Sequence, residues 1–249
     1  MILNWHAGDY SQNSEVQKLL SFELIDKEQL ENKSIMDIGC GDGAITSYLQ
    51  KKSKKKVLGV DLSIDMLNFA KKNYPECRFI LQDVSTLSIE EKFNVITSFN
   101  CLHWVSDLKK ALELIYKSLD KSGRFLGLIY PRCEHLWKAS ENIAVYEKYK
   151  QYFSSFTNPY FFYSASNLEL FLSEVGFENI KIKVETRTHH FHNDNLFLRY
   201  ISCWMPHMQV APPEFVTDWI YEFRRLTNQH EESINMVYDV ITFNCVAQD

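Results

Sequence analysis

The chain has 249 residues, a mass of 29.3 kDa, 45% hydrophobic and 24% charged residues, and a net charge of −5. That is the ordinary globular balance, so a disordered or fibrous chain is excluded, and no run reaches the roughly 18–20 apolar residues of a transmembrane helix. The pI of about 5.9 argues against nonspecific nucleic-acid binding. The opening MILNWHAGDY lacks a signal-peptide pattern, and six cysteines without a C-x-x-C pair read as reduced thiols of a cytoplasmic protein.

The elements follow in order. KSIMDI (33–38) is a short buried strand, the glycines 39, 41 and 43 make a tight turn, and AITSYLQ (44–50) starts a helix. LGVDL (58–62) is a second strand ending near an acid, after which Ser63 caps a helix with Met66, Leu67, Phe69 and Ala70 on its apolar face. RFILQ (78–82) is a third strand, ending at Asp83, and FNVITSF (93–99) a fourth. A helix over 109–119, closed by Lys121-Ser122-Gly123, precedes a fifth strand, RFLGLIY (124–130). Strands alternating with helices predict a parallel, doubly wound α/β sheet that binds ligands at the carboxyl ends of its strands.

The second half differs in composition: 23 of the 35 aromatic residues follow position 129, nine of them between Tyr146 and Tyr163. A helix over 166–175 ends at Gly176, 178–191 reads as a long strand, 193–233 as mixed helix, and 235–247 as a last strand. If that strand runs antiparallel, the insertions 131–165 and 193–233 leave the sheet on the side of the glycine turn and form a lid. The expected organisation is one domain over 1–249, with an N-terminal gate helix in 1–32 and a cofactor-binding core over 33–130.

Asp37-Ile-Gly-Cys-Gly-Asp-Gly43 is the central signal. Alternate glycines let a ligand approach the backbone, and the following helix N-terminus offers free N–H groups. Gly39-x-Gly41-x-x-Ala44 also satisfies the nicotinamide fingerprint, and Asp61 suits ribose hydroxyls in either case, so two cofactor classes stand open. The lysine run 51–56 reads as a solvated helix end rather than a nucleic-acid site. Of His189, His190 and His192, strand alternation puts the last two on one face, and no third metal ligand is evident. Tyr146-x-x-x-Lys150 matches a dehydrogenase pair only by spacing.

Five ordered motifs, Ile-Met-Asp-Ile-Gly-Cys-Gly-Asp-Gly, Gly59-Val-Asp61-Leu-Ser, Asp65-Met66-Leu67, Gln82-Asp83-Val84 and Ser98-Phe-Asn-Cys-Leu-His-Trp104, resemble those of class I S-adenosylmethionine-dependent methyltransferases. The resemblance implies a Rossmann-like, mostly parallel seven-stranded sheet with an antiparallel last strand, and S-adenosylmethionine as cofactor. It implies a cofactor set of Tyr10, Asp37, Gly39, Cys40, Gly41, Gly43, Asp61, Leu62, Met66, Asp83, Val84 and Asn100. The loop 39–43 would pass under the methionine moiety, Asp61 accept the ribose hydroxyls, Leu62 and Met66 flank the adenine, Asp83 and Val84 meet its amino edge, and Asn100 approach the methionine.

Trp5-His-Ala-Gly-Asp-Tyr10, Ser14, Gln17, Leu102-His103-Trp104-Val105 and the segments 221–223 and 238–241 are similar to a small-molecule subgroup that includes juvenile hormone acid methyltransferase. Trans-aconitate and malonyl-carrier methyltransferases resemble it more distantly. Matching residues there place Gln17 and Trp104 on the acceptor's carboxylate, and the adjacent His103 is a further candidate donor to it. The expected activity is therefore methylation of a carboxylate oxygen on a lipophilic small molecule, by a monomer or homodimer, without nucleic acid. Arg132 and Arg199 are the two arginines placed for the pocket. A nicotinamide-dependent dehydrogenase and a tRNA or protein methyltransferase are the rival readings.

Overall fold

The computed structural model describes residues 5–248; the first four residues of the expected N-terminal segment and Asp249 lie outside the described residues. Two helices open the chain, α1 (Ala7–Asn13) and α2 (Glu15–Ile25), where the sequence pattern predicts one gate helix. The break falls at Ser14, which is fully buried and has φ −97° and ψ +32°, outside helical geometry. The Rossmann-like core follows as β1 (Ile35–Ile38), α3 (Ala44–Ser53), β2 (Leu58–Asp61), α4 (Ile64–Asn73), β3 (Arg78–Leu81), β4 (Phe93–Phe99), α5 (Leu108–Lys117) and β5 (Leu119–Ile129). The second half adds α6 (Glu134–Ala144), α7 (Lys150–Phe153), α8 (Ala165–Val175), β6 (Phe177–Phe191), α9 (Asp194–Ser202), α10 (Pro206–Val210), α11 (Glu214–Thr227) and β7 (Ile234–Ala247).

The seven strands lie in the order β3-β2-β1-β4-β5-β7-β6, and β7 runs antiparallel to both of its neighbours. All four residues of β1 are buried, as an apolar strand flanked by two others requires. Chain order reverses between β1 and β4, and the glycine turn leaves β1 at that point. Because β6 is antiparallel to β7, it is parallel to β5. The insertions after β5 and β6 therefore both emerge at the carboxyl edge of the parallel strands, on the glycine side, as expected.

The caps explain several boundaries. Ser63 accepts the Met66 N–H, Asp107 the Lys110 N–H and Asn193 the Leu196 N–H, and Ser164 forms a reciprocal capping box with Asn167. One boundary needs correcting. The fifth helix ends at Lys117, and residues 119–123, expected to close it, belong to β5. Leu119 pairs with Phe93 and Arg124 with Val95, so the residues between them bulge out. Gly123 is confined within that bulge, where a Cβ would sit 2.8 Å from the Asp120 carbonyl oxygen.

Apolar side chains cover both faces of the sheet, with α5 and α8 in one cluster and α2 and α3 in another. A separate aromatic core holds the second-half helices together, with Trp137, Tyr149, Phe197, Phe215 and Trp219 fully buried in it. Trp219 Nε1 donates to Ser140 Oγ at 2.8 Å, tying α11 to α6. No described helix is long and apolar enough to cross a membrane.

Candidate active site

The glycine turn is held by its neighbours. The N–H groups of Gly39 and Cys40 both donate to the Val60 carbonyl, at 2.8 and 3.0 Å. Gly39, Gly41 and Gly43 have φ of +71°, +52° and +83°, the left-handed region in which a Cβ is strained. At Gly39 a Cβ would lie 2.3 Å from Cys101 Cβ, so the loop touches the end of β4 with no room to spare. Asp37, wholly buried, accepts the hydroxyls of Thr46 at 2.6 Å and Thr97 at 2.9 Å. Burial pushes its carboxyl up to about 6, partly offset by those two donors.

Asp61 ends β2 beneath the loop. Its Oδ2 accepts the Gly41 N–H and its Oδ1 the Ser63 N–H, both at 2.8 Å. Burial raises its pKa, and the backbone donors pull it back. Its carboxylate thus holds loop and helix cap together while facing the cavity. Next to it, Leu62 is 58% exposed although apolar, while Met66 is buried. Asp83 binds Ser85 N–H and Oγ through Oδ1, at 2.8 and 2.7 Å, and the 3-10 turn it caps carries Val84.

At the end of β4, Asn100 takes a left-handed φ of +59°. Its Nδ2 donates to Ser21 Oγ at 3.3 Å, and Ser21 donates to the Gln17 carbonyl at 2.7 Å, so α2 is pinned against β4. The 3-10 turn Leu102–Trp104 then brings His103 and Trp104 together. The His103 ring stacks on Tyr160 at 4.5 Å and lies 5.9 Å from the Tyr130 ring. Burial among these rings pushes its pKa down to about 3, so it is neutral at physiological pH.

The N-terminal segment closes over this floor. Trp5 packs edge-on against Trp104 at 5.3 Å and against Tyr10 at 5.9 Å. Lys18 pairs with the buried Asp42 of the glycine loop at 2.8 Å and also donates to the Ser11 carbonyl. The Ala7 N–H donates to Asp65 at the start of α4, at 2.9 Å.

The glycine loop, the ends of β2 and β4 and the N-terminal segment border one cavity of about 280 Å³. Gln17, His103 and Trp104 line it, as do Tyr10, Gly39, Gly41, Asp61, Leu62, Met66, Asp83, Val84 and Asn100. Asp37, Cys40 and Gly43 do not. Cys40 packs among Leu67, Ala70 and Phe79, and a Cβ on Gly43 would meet Ala70 at 2.8 Å, so their places are in the support of the loop. The two arginines expected near the pocket also fall outside its lining. Arg132 is taken up by Glu134 and Glu141, at 2.7 Å each, and Arg199 is exposed. Lysine and arginine are absent from the described lining, which carries Asp61, Asp83 and Asp239.

Tyr130, Trp137, Tyr160, Tyr200, Trp204 and Tyr238 were missed from the sequence and line the same cavity. Tyr130 stands directly after β5, so the carboxyl-end rule that selects Asn100 would have found it. Trp137, Tyr160, Tyr200 and Trp204 come from the insertions and Tyr238 from β7, where no local pattern separates a cavity wall from a packed core. Five buried polar atoms on these walls have no hydrogen-bond partner among the described residues: Gln17 Oε1, Asn100 Oδ1, His103 Nδ1, Tyr130 OH and Trp204 Nε1. Buried polar groups are ordinarily bonded, so a concentration of orphans in one cavity marks where a ligand's polar atoms belong.

Residues 35–123 match a family model described as a methyltransferase domain. A putative methyltransferase, 235L, of Invertebrate iridescent virus 6 is 27% identical over 246 residues, covering 97% of this chain and 91% of that protein. Juvenile hormone acid O-methyltransferase of Bombyx mori is 22% identical over 201 residues, covering 76% of this chain and 72% of that one. The crystal structure of the YcgJ protein from Bacillus subtilis superposes with a TM-score of 0.68 at 16% identity, over 93% of this chain and 99% of that chain, which is a likeness of fold.

Proposed function

Because this chain is a class I S-adenosylmethionine-dependent methyltransferase, we propose that it methylates a carboxylate oxygen of a small lipophilic acid. The dehydrogenase reading of the glycine motif is thereby set aside. The bound cofactor supplies an activated sulfonium methyl group. In this reading the loop at Gly39 and Gly41 carries the methionine part, the free lone pairs of Asp61 accept the ribose hydroxyls, and exposed Leu62 with Met66 sandwiches the adenine. The orphaned Oδ1 of Asn100 and Oε1 of Gln17 fit the amino group of the methionine moiety, since each is a buried acceptor with no donor among the described residues.

One observation carries the choice of acceptor: next to the aromatic walls stands a buried histidine whose pKa lies near 3. Such an imidazole donates a hydrogen bond but is too weak a base to deprotonate an alcohol or an ammonium group at neutral pH. A carboxylate, which ordinarily titrates near pH ~4, is already ionised and needs no base. His103, Trp104 and Gln17 Nε2 hold it through neutral donors, joined by Tyr130, whose hydroxyl burial keeps protonated. Neutral donors orient the nucleophile without the ground-state stabilisation that a buried arginine would add. Alignment of this kind contributes roughly 7–11 kcal/mol in well-oriented reactions. The helical insertions 131–165 and 193–233, together with the docked N-terminal helices, act as the lid that keeps water out.

The test is ester formation with labelled cofactor across fatty, isoprenoid, aromatic and polycarboxylic acids, with amines and tRNA alongside. Lipophilic monocarboxylic acids should be turned over at a rate nearly constant between about pH 7 and 9, because the acid is already ionised and His103 already neutral across that range. Gln17→Ala and Trp104→Ala should lower turnover more than they lower cofactor affinity. Transfer only to polycarboxylates, nitrogen or nucleic acid, or a rate rising tenfold per pH unit, would refute the carboxylate reading.

A further inference from the structure

Helix α9 starts at its Asn193 cap and buries Phe197 and Ile201 completely in the aromatic core. Its last turn and the residues just beyond bring two polar-tipped rings to the cavity wall, Tyr200 and Trp204, with centroids 6.1 Å apart. The indole Nε1 of Trp204 is buried and has no acceptor among the described residues. An indole N–H only donates, so its missing partner must be an acceptor atom. Elsewhere the fold does satisfy such a group, since the fully buried Trp219 donates to Ser140 at 2.8 Å. The Tyr200 hydroxyl makes no hydrogen bond among the described residues, and its burial keeps it protonated as a second donor.

Trp204 stands apart from Trp104. From Trp104 the ring contacts run to Tyr160 at 4.9 Å, from there to Trp137 at 4.8 Å, and on to Trp204 at 6.1 Å. The cavity wall beside them is apolar, with Leu136, Trp137 and Met236. Resting on the acid-acceptor reading above, we propose that the acceptor carries a second oxygen, a carbonyl, ether or hydroxyl several bonds from the reacting carboxylate, and that Trp204 and Tyr200 bind it. A plain hydrocarbon acid would fill the same space and leave the indole N–H unpartnered. A site with a buried donor discriminates against such a ligand more sharply than an apolar wall discriminates between chain lengths.

Pairs of monocarboxylic acids matched in length, one with a mid-chain or terminal oxygen and one without, separate the outcomes. The wild type should prefer the oxygenated member by about tenfold or more in kcat/KM. Trp204→Phe should abolish most of that preference, lowering kcat/KM for the oxygenated member about tenfold more than for the hydrocarbon acid, and Trp204→His, which keeps a ring N–H, should restore part of it. Tyr200→Phe gives an independent reading if the tryptophan variants fold poorly, and S-adenosylhomocysteine affinity reports folding in each. Equal kcat/KM for both members in the wild type, or a preference unchanged in Trp204→Phe and Tyr200→Phe, overturns the second-oxygen site but leaves the carboxylate reading intact. Absence of ester from every acid defeats the carboxylate reading itself, and this inference with it.

Discussion

Replacing His103 with phenylalanine keeps a flat ring against Tyr160 but removes a titratable group from the unfolded chain. In the folded protein burial holds the His103 pKa near 3, against 6.5 for a histidine in water. The depressed value means that its contribution to stability is complete above about pH 6.5 and declines as pH falls, because the unfolded chain then takes up a proton that the native ring refuses. Each pH unit in that window is worth about 1.4 kcal/mol. Between pH 7 and pH 5 the wild type should therefore lose about 2 kcal/mol through His103 alone. His207, pushed down to about 4 by burial among Trp137, Phe153 and Phe156, adds a similar loss, but it is present in both proteins and cancels in the difference. Urea unfolding of wild type and His103→Phe at the two pH values measures it. The variant should be less sensitive to acid by about 2 kcal/mol. Equal losses would mean that His103 titrates in the fold near neutral pH and can serve as a base, which the carboxylate reading forbids.

Asp61→Ala removes the expected ribose contacts and also the anchors of the Gly41 and Ser63 N–H groups. At roughly 1.5–3 kcal/mol per charge-assisted bond, calorimetry should show S-adenosylhomocysteine affinity at least a hundredfold weaker. Lys18→Ala leaves the buried Asp42 unpaired and frees α2 from the glycine loop. Hydrogen exchange over residues 10–17 should speed up in that variant, and in the wild type it should slow when cofactor is added; exchange unchanged in both cases would contradict the lid role of this segment. Gly39→Ala sets a Cβ 2.3 Å from Cys101 at a φ of +71°, so thermal unfolding should show a loss of several degrees. A variant as stable as wild type would mean that loop and strand end are looser than described.

Local chemistry was enough to read the first half of this protein. The glycines after β1 and the acid after β2 each answer a backbone or charge requirement that acts within a few residues. Hydrophobic run lengths therefore located β1 to β4 to within two residues at either end. Where the structure departs from the local pattern, a longer-range pairing prevailed. The Ser122-Gly123 pair looked like a helix end, but Leu119 was already bonded into the sheet beside Phe93. The same limit governed the site. Gln17 and Trp104, suggested by motif resemblance, and the adjacent His103 line the cavity, yet the partners that make His103 neutral, Tyr160 and Tyr130, come from other elements. Arg132 looked available until α6 brought Glu134 and Glu141 to it. Composition announced an aromatic second half without saying which rings would face a ligand. Burial and orphaned hydrogen bonds depend on what every neighbouring segment leaves uncovered, so tertiary packing alone decided that Trp204 meets the cavity while Trp219 does not.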